Sequence, residues 1–314
     1  MTISDAEFSI ATEVLLYSFH KYNPGFDGEV LILTDNLPAE HRQRLERFSP
    51  VKFEAPDRRL RHAVDELQMR ESRLEGIYRR LFSLEIFRLS QYDRVVYLDS
   101  DIYCSGDISP LFDSGEAFLA CPDGFTYGDR IRQKLKPDEA LENSERYGKK
   151  FGKTFNAGVL SVGSSLLGDE TYEALLSLLD YRRWQSHGPS KFTDQMALNL
   201  YFDGQFAELE AKFNYMMFLE EYQKSLEPVS LLDARLVHFA GAIKPWNCYA
   251  PAQLAARAPQ FVKFMDVWHE LLDEARSDGS AEAQRERIRQ RFEKQAEWIE
   301  AYNSENLEPV GRIY

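Results

Sequence analysis

Apolar and polar positions in the first part of the chain alternate between helical spacing and short strand-like runs. Apolar side chains recur at helical spacing over about Ser4–Tyr22 and again over residues 38–48. Between and after these segments, Val30–Leu33 and Val51–Phe53 have the composition of buried strands, and Met1–Ile3 resembles the end of a strand. This order predicts an α/β fold with a single, Rossmann-like, mostly parallel sheet flanked by helices.

The rest of the chain continues this alternation of helices and strands. The predicted elements are a long helix at about Glu71–Gln91, strands at 94–98, 117–121 and 155–162, helices at 170–181 and 194–202, and strands at 206–213 and 236–239. Residues 125–153 are rich in Gly, Lys, Arg and Glu without a clear period. That segment is predicted to be a loop-and-helix insertion with the composition of a lid.

The C-terminal part of the chain, residues 251–314, is predicted to be a helical extension. Ile288, Phe292 and Ile299 form an apolar stripe within a segment dense in Arg and Glu. Five basic and five acidic residues between Ala281 and Ala301 cancel, which disfavours an electrostatic membrane anchor. A helix docked on the domain or on a second subunit is therefore favoured over peripheral membrane contact.

Composition and charge narrow the classes of function. With 314 residues, 44% hydrophobic and 28% charged, the chain is long enough for one large globular domain. A net charge of −13 excludes non-specific nucleic-acid binding, and an anionic substrate would need a local cation. Three cysteines without paired spacing, no signal peptide and no membrane-length apolar run indicate a cytoplasmic protein.

Two carboxylates, Asp99 and Asp101, follow the predicted strand 94–98 directly and are separated only by Ser100. Residues two apart in a strand point to the same face, so both side chains can meet one ligand. Two anions this close repel each other unless a cation lies between them. Oxygen ligands of this kind suit Mg²⁺ or Mn²⁺, which can also hold a diphosphate. Ligands bind at the carboxyl ends of strands in open α/β sheets, which favours a functional interpretation.

Two carboxylates at this spacing are compatible with three other kinds of site. A lone D-x-D triplet is usually a solvated turn or cap. A calcium-binding EF-hand loop starting at Asp99 requires Asp or Asn in place of Tyr103 and Gly in place of Cys104, which excludes it. A phosphohydrolase with Asp99 as its nucleophile stays open, although such enzymes usually place that residue near the start of the domain.

Three further motifs follow in a fixed order, and with the first they carry a family resemblance. They are FNAGVLSV at 155–162, TDQMALNLYF at 193–202 and VHFAGAIKPW at 237–246, after VVYLDSDIY at 95–103. Each motif is weak alone, but the set resembles the glycogenin-like glycosyltransferase family 8, which includes bacterial lipooligosaccharide galactosyltransferases. The resemblance covers about residues 2–246. It implies a GT-A fold, a UDP-hexose donor, Mn²⁺ (or Mg²⁺) and transfer with retention to a glycan or glycolipid acceptor.

The resemblance also implies roles for individual residues. Asp99, Asp101 and His238 correspond to the metal ligands. The implied donor-binding residues are Asp5, Arg80, Ser100, Asp101, Asp123, Asn156, Ala157, Gly158, Gly241 and Lys244. Lys244 would balance the charge of the departing diphosphate, and Gly241 would permit close approach of a phosphate. Arg79 beside Arg80 leaves two registers for the helical arginine.

Asp194 and Gln195 correspond to the family's pair beside the reacting face of the sugar, and they are the implied catalytic residues. Retention requires either a covalent intermediate or same-face attack within an ion pair. Because an amide is a poor nucleophile, Gln195 favours front-side substitution. Structural alternatives are a helix cap for Asp5 and Asp194, a strand-end turn for Asp123, a core imidazole for His238 and a surface position for Lys244.

One departure from the family concerns the first strand. Family members usually carry several apolar residues before the position of Thr2, so here either the start is shortened or the fold tolerates a stub. The predicted domains are a GT-A catalytic domain at 1–250, with an acceptor-side or lid insertion at 125–153, and the extension at 251–314. The alternatives to a transferase are the phosphohydrolase and a non-catalytic nucleotide-sugar-binding protein.

Overall fold

The fold is described from a computed structural model of the chain. The structure describes residues 1–48, 50–136, 145–147, 149–187, 193–241, 244–246 and 260–277. The strands are β1 (Thr2–Ile3), β2 (Val30–Leu33), β3 (Val51–Glu54), β4 (Arg94–Leu98), β5 (Ile102–Cys104), β6 (Phe118–Pro122), β7 (Glu145–Arg146), β8 (Lys149–Lys150), β9 (Phe155–Gly163), β10 (Ala207–Glu208), β11 (Tyr215–Met216) and β12 (Leu236–His238).

Helices alternate with these strands. They are α1 (Ser9–Tyr22), α2 (Ala39–Glu46), α3 (Arg58–Arg70), α4 (Pro110–Asp113), α5 (Gly124–Leu135), α6 (Asp169–Leu178), α7 (Tyr181–Ser186), α8 (Thr193–Phe202), α9 (Glu220–Leu226) and α10 (Gln260–Arg276). Short 3-10 helices cover Ser72–Leu74, Ser164–Leu166, Ala211–Phe213 and Met217–Leu219, and a longer one covers Tyr78–Arg88. Within the described part of the chain, no helix has the length and apolarity needed to cross a bilayer.

The central sheet is mostly parallel, as predicted, with one reversed strand. β1, β2 and β3 pair in parallel, and β10, β6, β9 and β4 form the neighbouring part, in which β9 runs antiparallel to β4 and β6. Met1 joins the two parts, because its amino group donates to the Val96 carbonyl at 2.7 Å and its carbonyl accepts from the Leu98 N–H at 3.0 Å. The strand order is therefore β3-β2-β1-β4-β9-β6-β10.

The short first strand borders a cavity. β1 pairs with β2 only at Thr2–Ile32 and Ile3–Leu33. Beside it lies a cavity of about 160 Å³, lined by Met1 and by residues of β2 and β4 among others. Met1 is half-buried, and burial lowers the pKa of its amino group to about 5. β1 thus lies next to β4 in the sheet, and the cavity lies beside β1.

A second, smaller sheet contains the start of the sequence motif at 237–246. β12 pairs antiparallel with β5 and parallel with β11. His238 lies opposite Ile102 and beside Met216 in this register. The last residue of β12 is therefore held next to the first residue of β5, which immediately follows Asp101.

The core lies on both faces of the central sheet. Val95 and Tyr97 of β4 belong to a cluster with α3, α6, α8 and the 3-10 helix Tyr78–Arg88, whereas Val96 and Leu98 belong to a cluster with α1. A third cluster joins α1 to Phe264 and Trp268 of α10. Because β4 is buried on both faces, it reads in the sequence as a continuous apolar run.

Three sequence predictions about elements were wrong in part. The predicted helix at 71–91 is interrupted at Gly76, which has a φ of 77°, and continues as the 3-10 helix Tyr78–Arg88. Helix α3 was not predicted. The predicted strand 206–213 is limited to β10, followed by the 3-10 helix Ala211–Phe213, and the predicted helix at 170–181 divides into α6 and α7.

The predicted insertion and extension are described in part. α5 and the antiparallel pair β7–β8 lie within the insertion 125–153, whereas residues 137–144 and 148 lie outside the described residues. In the extension, α10 packs against α1, and the predicted apolar stripe at 281–302 lies outside the described residues. Cys104 and Cys121 are buried free thiols.

Candidate functional site

Asp99, Asp101 and His238 converge at the edge where β4 ends. Asp99 follows β4, Asp101 precedes β5, and His238 ends β12. One ligand atom from each lies within 4.8 Å of the others. The His238 Nε2 is 3.6 Å from Asp99 Oδ2 and 3.3 Å from Asp101 Oδ1. The sheet edge thus brings together the three residues that the sequence motifs predicted as one group.

Backbone hydrogen bonds fix these residues from both sides. The Phe239 N–H donates to the Asp101 carbonyl at 3.1 Å, and the Asp99 N–H donates to the Gly158 carbonyl at 2.8 Å. A methyl group on Gly158 would lie 2.9 Å from Asp99 Oδ2 and would overlap the His238 ring. Only glycine at position 158 therefore leaves room for the carboxylate and the imidazole together.

Asp101 is buried beside two basic side chains. Its Oδ2 accepts a hydrogen bond from Lys244 Nζ, which also donates to the Phe239 carbonyl at 2.7 Å. Burial alone would raise the pKa of Asp101, but the adjacent Lys244 and His238 outweigh it and hold the pKa well below its usual range. Asp101 is therefore an anion, and its Oδ1 has no hydrogen-bond donor among the described residues.

Asp99 has a different environment two residues away. The Tyr97 hydroxyl donates to Asp99 Oδ1 at 2.7 Å. Burial and the negative charge of Asp101 raise the pKa of Asp99 to about 6. Its side chain is 36% exposed, so water still reaches it from the cleft. The two carboxylates are thus an obligate anion and a more readily protonated neighbour.

The residues present fit a hard divalent cation. Asp101 Oδ1 is a buried anionic oxygen without a donor among the described residues, and it faces the imidazole Nε2 at 3.3 Å. An uncompensated buried oxygen is costly unless a cation satisfies it. Two carboxylates and one imidazole are a ligand set that Mn²⁺ and Mg²⁺ accept while keeping positions for phosphate oxygens.

Polar side chains form a wall beside this group. Gln195 Nε2 donates to Asp123 Oδ2 at 3.3 Å, and Asn156 Nδ2 donates to Gln195 Oε1 at 3.2 Å. Asp123 also accepts from the Thr126 N–H at 2.9 Å and from the Thr154 hydroxyl at 2.8 Å. Asp123 is therefore both the helix cap of α5 and a hydrogen-bond partner of Gln195, and its place in a donor–acceptor cleft stays a prediction.

Asp194 is buried one residue before Gln195. It accepts from the Ser83 hydroxyl at 3.0 Å and from the Thr193 hydroxyl at 2.9 Å. Burial raises its pKa, although these hydroxyls and the charge of Arg80 act in the opposite direction.

Asp5 and Arg79 form a second charged group. Asp5 accepts from the Phe8 N–H at 2.9 Å, and Arg79 Nη1 lies 3.6 Å from Asp5. Arg79 also donates to Asp35 at 2.8 Å. Arg79 therefore connects the loop of Asp5 to Asp35 after β2, whereas the charge of Arg80 acts to lower the pKa of Asp194.

The loop after β1 meets the last motif. The Phe8 ring packs edge-on against Trp246 with 5.2 Å between centroids, and Lys244 Nζ lies 5.9 Å from the Phe8 ring centroid. Gly241 has a φ of 94°, and a methyl group there would lie 2.6 Å from the Phe218 ring. Residues 242–243 of this motif lie outside the described residues.

The other predicted residues lie in the same region, and one important neighbour was missed. Ser100 is buried between the two carboxylates in the sequence, and Ala157 is buried in β9. Asn214 was not predicted: its Oδ1 lies 2.9 Å from His238 Nδ1, where an amide oxygen can only accept, and its Nδ2 donates to Asn156 Oδ1 at 2.9 Å. The signal that would have found it is its position directly after the segment 206–213, as a polar residue at the end of a predicted strand.

Comparison with known proteins gives weak identity over long stretches. GlyF, a glycosyltransferase of Streptococcus pneumoniae serotype 4, is 27% identical over 263 residues, which are 80% of this chain and 58% of GlyF. Lipopolysaccharide 1,2-glucosyltransferase of Escherichia coli K12 is 27% identical over 188 residues, 56% of this chain and 50% of that protein. The chain thus spans about half of the length of these relatives.

A solved structure supports the fold. The galactosyltransferase LgtC, crystallised with donor and acceptor sugar analogues, superposes with a TM-score of 0.59 at 18% identity, over 91% of this chain and 98% of LgtC. At this identity the likeness bears on the fold alone, and it confirms the predicted GT-A architecture. The model of the family described as glycosyl transferase family 8 matches residues 1–250. The chain belongs to glycosyl transferase family 8.

Proposed function

We propose that the protein is a metal-dependent, retaining hexosyltransferase that moves glucose or galactose from a UDP-sugar to a glycan or glycolipid acceptor. The observation that carries this proposal is the convergence of Asp99, Asp101 and His238 within 4.8 Å, with Lys244 beside them. The fold and the family membership support the same activity, and the named relatives GlyF and the lipopolysaccharide glucosyltransferase point to sugar transfer.

In this proposal the three ligands hold Mn²⁺ or Mg²⁺, which when bound would offset the charge of the donor diphosphate. Asp101 would remain an anion throughout, because the adjacent Lys244 ammonium lowers its pKa. Lys244 would face the departing diphosphate with a second positive charge. Gly241 would let the backbone approach a phosphate closely, because glycine has no Cβ and adopts its φ of 94° without strain.

The remaining donor contacts are proposed from position. Asp5 and Ser100 would lie near the nucleoside, and Arg80 would reach the sugar or the diphosphate. Asn156, Ala157 and Gly158 would form the wall beside the sugar. Asp123 would line the cleft between donor and acceptor, because its Oδ2 accepts a hydrogen bond from Gln195 Nε2 at 3.3 Å.

For the chemical step we propose front-side substitution. Both ends of the Gln195 amide are engaged, at 3.2 Å by Asn156 and at 3.3 Å by Asp123. A held amide is a poor nucleophile, but its oxygen can stabilise positive charge that develops on the sugar ring. The departing phosphate would accept the proton of the acceptor hydroxyl, so the new bond forms on the face that the phosphate leaves. Asp194 would fix the start of α8.

Domain roles and location complete the proposal. Residues 1–250 would form the catalytic domain, with 125–153 on the acceptor side and 251–314 as an extension for docking, self-association or peripheral membrane contact. A cytoplasmic location is supported by the two free, buried thiols.

The test is donor turnover. The full chain with Mn²⁺ should release UDP from UDP-glucose or UDP-galactose, and release should stop when the metal is chelated. The Asp101→Asn variant should lose Mn²⁺-dependent UDP binding in calorimetry. Absence of UDP release with every common UDP-sugar, in protein that is shown to be folded, would contradict the proposal.

The same assay separates the alternatives. Phosphate release from phosphomonoesters without sugar transfer would indicate a phosphohydrolase with Asp99 as nucleophile. Tight UDP-sugar binding without hydrolysis or transfer would indicate a binding protein. Retention is read from the anomeric proton coupling of the product by NMR.

A further inference from the structure

Asn214 links the candidate metal ligand His238 to the amides beside the donor sugar. It is fully buried, and its Oδ1 lies 2.9 Å from His238 Nδ1 while its Nδ2 donates to Asn156 Oδ1 at 2.9 Å. Asn156 in turn donates to Gln195, and Gln195 donates to Asp123. A continuous row of hydrogen bonds therefore runs from His238 to Asp123.

A backbone group fixes the direction of this row. The Gly158 N–H donates to Asn156 Oδ1 at 3.0 Å. A backbone N–H cannot reverse its role, so the atom of Asn156 that faces it must be the carbonyl oxygen. Asn214 meets that same oxygen at 2.9 Å, and it must therefore present its NH₂ group there. The remaining atom of Asn214, its oxygen, is left to face His238.

The other end of the row imposes the same direction. The Asp123 carboxylate accepts hydrogen bonds from Thr126 and Thr154. A carboxylate only accepts, so Gln195 must turn its NH₂ toward Asp123 and its oxygen toward Asn156. Both ends of the row thus agree on every amide orientation between them.

The consequence falls on the tautomer of His238. Because Asn214 offers an oxygen at 2.9 Å, Nδ1 of His238 must carry the hydrogen, and a neutral ring then has a bare lone pair at Nε2. That Nε2 faces Asp101 Oδ1 at 3.3 Å, and Oδ1 has no donor among the described residues. The Nε2 lone pair and the anionic Oδ1 repel each other in this buried site unless a cation binds both.

The segment that carries Asn214 is itself held in place. The Gln223 amide donates to the Asn214 carbonyl at 2.9 Å and accepts from the Met216 N–H at 3.1 Å. Gln223 is fully buried, and Met216 pairs with His238 in the small sheet. The side chain of Asn214 is therefore oriented by its backbone as well as by its neighbours.

We propose that Asn214 is a positioning residue that holds His238 in the Nδ1–H tautomer, so that Nε2 is available to a divalent cation. The inference rests on the proposed metal-dependent function for its biological meaning, but the tautomer itself is a property of the protein without metal. Through Asn156 the same residue also sets the orientation of the Gln195 amide.

The first measurement is the tautomer of His238 in the metal-free full chain. Long-range ¹H–¹⁵N correlation spectra at mildly alkaline pH, where imidazoles are neutral, distinguish a protonated ring nitrogen from a bare one. The signal is assigned by its loss in His238→Gln. We expect a bare Nε2 in the wild type. A protonated Nε2 in the wild type would overturn the proposal directly.

The second measurement is Mn²⁺ affinity by calorimetry. Asn214→Ala removes the acceptor, so the Nε2–H tautomer should gain population and Mn²⁺ affinity should fall about 10- to 100-fold. Asn214→Asp keeps an acceptor for Nδ1, so the wild-type tautomer should persist in the spectra; because it also removes the donor to Asn156 Oδ1, this variant is used for the tautomer measurement alone. The control Asn23→Ala removes a buried amide that bonds Phe19 and Ile108 instead, and it should leave the affinity unchanged.

The outcomes separate this proposal from the proposed function. If Asn214→Ala is folded and keeps both the wild-type tautomer and the wild-type affinity, Asn214 has no positioning role. If the wild type shows a bare Nε2 but binds no Mn²⁺ with UDP, the tautomer assignment holds and the metal-dependent function fails.

Discussion

Asp99 and Asp101 are two residues apart, yet their surroundings shift the pKa of each carboxyl in opposite directions. Asp101 lies against Lys244 and His238, which keep it ionised. Burial and the negative charge of Asp101 raise the pKa of Asp99 to about 6, because they outweigh His238 and the Tyr97 hydroxyl, which act in the opposite direction. A cation that binds the pair must therefore compete with a proton at Asp99 and not at Asp101.

This difference predicts how Mn²⁺ affinity depends on pH. Below about pH 6 Asp99 takes up a proton in the metal-free protein, so affinity should fall by up to about tenfold per pH unit from this group. Asp99→Asn should bind Mn²⁺ more weakly at neutral pH but with a shallower decline toward acid pH. Calorimetric titrations at several pH values measure both slopes, and equal slopes would contradict the assignment.

Lys244 should matter for turnover more than an ordinary surface lysine. It contacts Asp101 and the Phe239 carbonyl, and it is 9% exposed. Lys244→Met should lower the rate of UDP release from a UDP-hexose by about 100-fold, because it removes a positive charge from the leaving diphosphate. Lys21→Met is the control, since Lys21 is exposed and pairs with Glu274. A rate for Lys244→Met within threefold of the control would exclude this role.

At the scale of elements, strand ends were predictable and the irregular segments between them were not. The carboxyl end of β4 reads directly from a buried apolar run followed by Asp99 and Asp101. Asn214 directly follows the segment 206–213, which was predicted as one strand but contains β10 and the 3-10 helix Ala211–Phe213. Its position marks a polar residue at a strand end, but the local pattern does not show that its side chain meets His238. The predicted helix at about 71–91 was right in part, because the chain is interrupted at Gly76 and then continues as the 3-10 helix Tyr78–Arg88 instead of one long α-helix.

The close approach of β9 to the metal ligands gives an element-scale prediction. Gly158→Ala places a methyl group in the space of the His238 ring and 2.9 Å from Asp99 Oδ2, so one ligand must move. Mn²⁺ affinity should fall by more than about tenfold, the usual size of disturbed ligand geometry. Gly25→Ala is the matched control, because nothing lies within 4 Å of the added methyl group. Wild-type affinity in Gly158→Ala, by calorimetry, would refute the packing argument.

Across the whole molecule, one buried carboxylate joins three distant parts of the chain. Glu13 of α1 is 1% exposed and accepts from Arg47 at 2.6 Å and from Arg276 of α10 at 2.7 Å. Apolar contacts of Phe264 and Trp268 lie in the same interface. The described C-terminal helix is therefore attached to the N-terminal region by both charge and burial.

Removing that charge should lower stability measurably. Glu13→Gln leaves two arginines without their shared anion, and since both are partly exposed the expected cost is about 1–2 kcal/mol in the free energy of unfolding. Glu274→Gln is the control, because its pair with Lys21 is solvent-exposed and should contribute less than about 1 kcal/mol. Urea unfolding of the variants measures both values. Equal changes would show that Glu13 does not join α1 to α10.

The origin of the site's groups in distant parts of the chain has a consequence for folding kinetics. Lys244 and Asp101 are 143 residues apart in the sequence. The pairing of β5 with β12 therefore closes a long loop of chain. Closing so long a loop costs chain entropy before the contact contributes anything, so the ligand group forms late on the folding path. A cation that needs all three ligands cannot assist the early steps. It would instead stabilise the folded state after β5 and β12 have paired, because it binds that state and not the unfolded chain.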